Sequence, residues 1–321
     1  SMPIERLQAF YRTWYQPDNA LVTIGGRFEP QRALALVDRR FGAIPRPARA
    51  LPQLYTVEPT QDGERTVTLQ RTGETPLVAA LYRVPSAGHP DFPAIEVLVE
   101  AMRAAPQGRL HRALVQKGLA SAIWGFEHAL HDPGYIAFGA QLPRDGSLGA
   151  ASAALLDTLH AVPRAPIEPE EVARARTTLL NEMDKATLES GAMVRALAEF
   201  HALGDWRLYF LYRDRLRAVK APDVQRVAEA YLKPANRVLG HFVPTADPQR
   251  AQIPEAPDLQ AALAGYEGGT ALTAGEAFDP SPQNIEARLE RRTLANDVRI
   301  ALLPRRTRGG KVVAKIDLHW G

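Results

Sequence analysis

Tyr15-Gln16-Pro17-Asp18-Asn19 and Tyr231-Leu232-Lys233-Pro234-Ala235-Asn236 stand near the two ends of the folded part of this chain. Each follows a helical pattern and precedes an apolar run. In the first, Leu7, Phe10 and Tyr11 fall on one helical face, Pro and Asn stop the helix, and Leu21–Ile24 reads as a buried strand. In the second, Val224, Val227, Ala228 and Tyr231 make the face and Val238–Val243 the strand. One helix-turn-strand unit used twice predicts a chain built from duplicated α+β domains, entered partway through the first.

Working outward, residues 3–45 read as helix, strand, helix, with Glu29-Pro30 opening the second helix and Gly42 stopping it. A lone strand leaves its backbone groups unpaired, so this piece cannot complete a sheet by itself. The Pro-rich stretch from Pro45 to Pro59 reads as a linker. Val67 and Leu69 alternate with polar neighbours in a strand over Arg65–Arg71, and Leu77–Val84 gives a second. Asp91 is placed to cap a helix with Ile95, Leu98, Val99 and Met102 inward, and Leu110, Ala113 and Leu114 face another that Gly118 closes. A hairpin over Ser121–Leu130 and Tyr135–Leu142 turns at Asp132-Pro133-Gly134. Ser147 and Pro169 start helices, and more helices reach Tyr231. The expected core includes Leu69, Val78, Leu81, Leu98, Leu114, Phe138, Leu155, Leu180, Leu197 and Val227.

These elements predict an α+β fold, helices packed on one face of an antiparallel or mixed sheet, in one complete and two partial domains. The expected boundaries are 1–50, 51–244, a linker over 245–282, and 283–321. In the last piece Ile285–Leu294, Val298–Leu303 and Val312–Trp320 read as strands, with Asn296-Asp297 a tight turn.

At 321 residues and 45% hydrophobic content the chain can bury a sizeable core. A net charge of +3 from 39 basic and 36 acidic residues gives weak evidence for nucleic acid and fits a solvated surface better. There is no cysteine, which removes thiolate zinc sites, cysteine nucleophiles and disulfides, and fits either a reducing cytosol or a bacterial periplasm. No apolar run of about 18 residues is present to span a membrane. Ser1-Met2 reads as a cloning remnant, so a leader ahead of this stretch is compatible with the sequence.

Glu127, His128 and His131 are zinc-ligand types, but in a strand residues three apart point to opposite faces, which favours edge histidines. His111, His160 and His201 lie on separate helices without a second His at i+4. Arg305, Arg306, Arg308 and Lys311 around Gly309-Gly310 read as a solvated basic turn. Glu170 and Glu171, in a first helical turn, serve the helix dipole. No nucleophile elbow, P-loop or dinucleotide fingerprint occurs.

Several phrases together resemble the insulinase or pitrilysin-type zinc metallopeptidases. Tyr15-x-Pro-x-Asn19, Ile24-Gly-Gly and Phe41-Gly-x-Ile-Pro45 resemble the end of that family's first domain. Gln61-Asp-Gly-x-Arg65, Tyr82-Arg-Val-Pro85, His89-Pro-Asp91 and Arg109-Leu-x-x-Ala-Leu-Val115 resemble the opening of its second. Glu170-Glu-Val-x-Arg-Ala175, Gly204-Asp-Trp206 and Val219-x-Ala-x-Asp223 continue it, and Leu294–Ile300 resembles the start of its third.

The resemblance implies a parent that cleaves peptides with zinc held by an H-x-x-E-H motif and a downstream Glu. None of these occurs here, so no catalytic, cofactor-binding or metal residue is expected in this chain, with zinc confined to the parent. Arg112 matches an Arg that contacts substrate in the family's fourth domain, but seven residues on stands Leu119 where that domain has Tyr, which agrees with a second domain. The implied partners are peptide substrates and the other half of the peptidase. The incomplete pieces around Leu21–Ile24 and after Arg291 are expected to pair with each other or with a second copy. The chain then reads as the non-catalytic wall of a peptide-enclosing chamber. Its alternatives are an inactive homologue acting as a subunit, or a basic binding module.

Overall fold

Five strands carry the main sheet: β1 (Arg65–Arg71), β2 (Leu77–Val84), β3 (Ala122–His128), β4 (Gly134–Gln141) and β5 (Arg237–Pro244). Their order is β1-β5-β2-β4-β3, with β1 parallel to β5 and the other neighbours antiparallel. The computed structural model describes residues 2–52, 59–268, 272–273, 276–306 and 312–317. In β2, Val78, Ala80, Tyr82 and Val84 are buried while the residues between them are half-buried. That period of two places the core on one sheet face.

The helices are α1 (Ile4–Trp14), α2 (Pro30–Phe41), α3 (Phe92–Arg103), α4 (Leu148–Ala161), α5 (Pro169–Leu188), α6 (Ser190–Ala202), α7 (Leu208–Ala218) and α8 (Ala221–Tyr231). Helix α3 is apolar around most of its circumference because it is packed on several sides, by β3 and by α5, α7 and α8. Helix α4 lies on β2 and β4. Ser147 Oγ accepts from Ala150 N at 3.3 Å to start α4, and Pro169 opens α5.

The chain divides into two compact units, residues 1–249 and 250–321. In the second, α9 (Leu259–Leu263) and the short pair β6 (Leu272–Thr273) and β7 (Ala277–Phe278) lie inside the stretch expected to be a linker. Helix α10 (Pro282–Arg288), capped by Ser281 Oγ, replaces the first half of the strand expected over Ile285–Leu294. Pro at the first helical position and the Ser cap outweigh the apolar alternation there. A hairpin follows, β8 (Glu290–Thr293) with β9 (Arg299–Leu302), and Asp297 takes φ +62° in its turn. Residues 312–317 carry no regular structure, and 318–320 lie outside the described residues.

Four further expectations are corrected. Leu69 is 47% exposed because β1 ends the sheet, with β5 its one strand neighbour among the described residues. Leu81, Leu180 and Leu197 are half-buried, whereas Val78, Leu98, Leu114, Phe138, Leu155 and Val227 are buried. Asp91 stands at the start of α3 but makes no capping bond; it accepts from the Tyr231 hydroxyl and Arg226 Nη1, each at 2.8 Å. Leu21–Ile24 forms no strand ladder among the described residues, and Leu7, Phe10 and Tyr11 are exposed.

The two halves of the opening motif nonetheless share geometry. Helices α1 and α8 each have 11 residues, and Pro17–Asn19 and Pro234–Asn236 each form one tight turn. Asn19 Nδ2 donates to Trp14 O at 3.0 Å, and Asn236 Nδ2 to Tyr231 O at 2.9 Å. Trp14, rather than Tyr15, therefore stands where Tyr231 stands.

Candidate functional site

Between the C-terminal end of α3 and the first turns of α5 runs a groove formed by two adjoining cavities of about 830 and 550 Å³. Its basic end is fixed by Arg109, which donates to Ala165 O and Pro166 O at 2.6 Å and to Glu171 Oε2 at 2.9 Å. Glu171 also accepts from Glu168 N at 3.0 Å and from Arg112 at 3.3 Å. Burial works to raise the Glu171 carboxyl, but the bonds from Arg109 and Glu168 and the charge of both arginines outweigh it and hold it below the usual Glu range. Glu171 thus couples helix start and arginine anchor, a larger role than a dipole partner.

At the other end Glu100 lies 2.6 Å from Arg103, and Glu96, Glu127 and Glu182 are close enough to interact. Burial first, then the charges of Glu127 and Glu182, pushes the Glu96 carboxyl well up, and burial raises Glu127 as well. Helix α3 brings Glu96, Glu100 and Arg103 onto one side by their spacing of four and three, and the pleat of β3 turns Glu127 toward them. Sequence reading missed this cluster, although the i, i+4, i+7 spacing on α3 was visible.

Glu96→Gln is accordingly expected to raise Tm by about 2–4 °C at pH 8, roughly 1 kcal/mol for a unit of this size. A carboxyl raised in the folded state costs stability as pH climbs through the ordinary Glu value, so the gain must shrink at pH 4. Thermal melts at both pH values check this; an equal gain at both would remove the electrostatic cause.

The histidines are dispersed. His128 stacks on Tyr135 at 5.2 Å, and His131 Nδ1 lies 3.2 Å from Asp132 in the turn. His111 is half-buried, His201 exposed, and His160 contacts Arg237. Among the described residues no group of three or more His, Asp or Glu is arranged to hold a metal ion. Arg112 is exposed at the groove, while Leu119 packs on the core. Arg305 lies over the Phe278 ring at 4.8 Å, so this basic residue is part of a packed contact; Arg308 and Lys311 lie outside the described residues. No described helix is long and apolar enough to cross a membrane.

Comparison with known proteins assigns this architecture. The family profile for the peptidase M16 inactive domain matches residues 1–179. This chain belongs to that family. It is 43% identical to the inactive peptidase domain of a candidate zinc protease from Bordetella parapertussis, covering 58% of this chain and 99% of that one with a TM-score of 0.52. The zinc protease PqqE of Helicobacter pylori is 28% identical over 241 residues, 72% of this chain and 52% of that protein, so this chain spans about half of that relative's length. A protease structure from Helicobacter pylori superposes with a TM-score of 0.71 at 23% identity over 76% of this chain and 60% of that one, a likeness of fold. The M16 chain is thus an α+β, insulinase-type domain related to zinc proteases.

Proposed function

We propose that this chain is the non-catalytic middle portion of a zinc-dependent endopeptidase of the insulinase/pitrilysin type, forming one wall of the chamber that encloses peptides. Residues 51–244 are its complete non-catalytic domain, 1–50 the end of the domain before it, 245–282 a linker between halves, and 283–321 the start of the next domain. The observation that carries this reading is the 43% identity across 99% of the Bordetella inactive peptidase domain. The open edges of Leu21–Ile24 and the exposed face of α1 support the assignment of 1–50, since a strand of this composition is stable only inside a sheet. Without that sheet, the same edges are expected to recruit a second copy.

A quenched-peptide assay with zinc analysis tests the function. Alone, the chain is expected to bind no stoichiometric zinc and cleave nothing; joined to its zinc-motif half, it should restore peptide cleavage that the half lacks by itself. Equal cleavage by that half without this chain would refute a role in the chamber. A companion half that also lacks the zinc motif would replace the reading with that of an inactive assembly subunit.

A further inference from the structure

Arg237, the first residue of β5, is 3% exposed and carries a charge into the layer between sheet and helices. A buried guanidinium requires partners, and three elements supply them. One Nη1 contact goes to His160 Nε2 at the end of α4, and Nη1 also lies 3.5 Å from the Tyr82 hydroxyl on β2. Nη2 donates to Glu64, one residue before β1. Gln61 Nε2 closes the arrangement by donating to Arg237 O at 2.7 Å and Gly63 O at 2.8 Å. The segment 61–64 is therefore tied to the first residue of β5 through both side chain and backbone.

The chemistry of this contact has one weak member. A guanidinium only donates, so His160 Nε2 must be an unprotonated acceptor. Burial, then the charge of Arg237, holds the His160 imidazole below its ordinary value, with Arg164 acting the same way and Glu64 and Asp157 opposing them. Tyr82 is the remaining titratable group against the cluster, and burial pushes its hydroxyl up, so it stays neutral. Protonating His160 removes the acceptor and sets a second cation against Arg237.

We propose that His160, Arg237 and Glu64 form an acid-sensitive latch that holds the start of β1 onto the sheet. Among the described residues strand β1 has β5 as its one strand neighbour, so its start is held by that ladder, by the Gln61 bond to Arg237 O and by Glu64, and release of Glu64 leaves the start of this edge strand more weakly held. Its departure bares the β5 edge from Val238 to Pro244, a row of backbone groups able to take another strand. The sign follows from linkage: with the folded-state value below the ordinary one, the contribution of the contact is fully present above about pH 6.5 and is lost as pH falls through the depressed folded-state value.

Amide hydrogen exchange over Arg65–Arg71, corrected for the intrinsic pH dependence, tests the latch on the full chain. Lowering pH from 7.5 to 5.0 should measurably reduce protection of β1 while β4 is unchanged. His160→Gln keeps an acceptor that does not titrate and should abolish the difference. Protection of β1 that ignores pH in the wild type, or a pH response that survives in His160→Gln, overturns the proposal. Should that variant fail to fold, NMR titration of the wild-type His160 ring decides: a midpoint at or above about 6.5 rejects the latch, and one below it supports it.

Discussion

Phe138→Ala is expected to destabilise the main unit by about 3–5 kcal/mol, lowering Tm by on the order of 10 °C. Phe138 is fully buried in β4, and its partners across the ladders are Ala80 on β2 and Gly125 on β3. Both are among the smallest residues, and the ring occupies the space they leave. A methyl built on Gly125 would sit 3.1 Å from Phe138 Cδ1 and 3.4 Å from Arg103 Cβ, so ring, strand and α3 meet without a gap. Truncation therefore opens a cavity that neither small neighbour can fill. Phe138→Leu, which keeps most of the volume, should lose less than half as much. Chemical denaturation of both variants checks the ratio; a loss under 1 kcal/mol for Ala would mean that the layer collapses onto the vacancy.

The elements with strong local signals were legible before the structure. The alternation in Leu77–Val84, the Pro-Gly turn before Tyr135 and the Ser147 and Pro169 starts all appear at the expected places. What sequence could not supply was neighbourhood. Val67 and Leu69 alternate as a half-buried strand does, yet β1 falls at the edge of the sheet and both are exposed. Leu21–Ile24 has the composition of a strand, but among the described residues it finds no partner strand. Asp91 occupies a capping position, but the Tyr231 hydroxyl and Arg226, 140 and 135 positions later in sequence, claim its carboxylate. Burial works against that carboxylate, but those bonds and charges hold it below the usual Asp range.

The same limit applies to the site. Glu171 was readable as a helix-start residue, because its signal is local; its bond to Arg109, 62 positions earlier, was not. Glu96 and Glu127 lie on different element types, each unexceptional alone, and only the packing of α3 on β3 makes them a raised-pKa pair. Family phrases did identify the M16 relationship, since their order along the chain survives where single residues vary.

The repeated motif yields the second large effect. Asn236→Ala should cost about 2 kcal/mol, whereas Asn19→Ala should cost under about 1 kcal/mol, although both residues make the same bond to a carbonyl five positions back. The difference lies in what each turn is attached to. The Asn236 amide has two hydrogens, and its second bond goes to Arg83 O at 2.9 Å, near the end of β2. Tyr231, at the start of the same turn, donates to Asp91 at the head of α3; burial first, then this bond, pushes its hydroxyl up to about 12. The second motif thus fastens the β2–α3 connection to α8 and β5, and loss of Asn236 loosens a junction of four elements. Asn19 is exposed, and among the described residues its side chain bonds its own turn alone. Because Asn236 acts through Nδ2 as donor, Asn236→Asp cannot restore either bond and should fall with Ala, whatever its similarity of shape. Denaturant melts of the three variants give the answer: equal losses at positions 19 and 236, or rescue by Asp, would show that the turn stands without these bonds and that the stability of the junction comes from α8 packing alone.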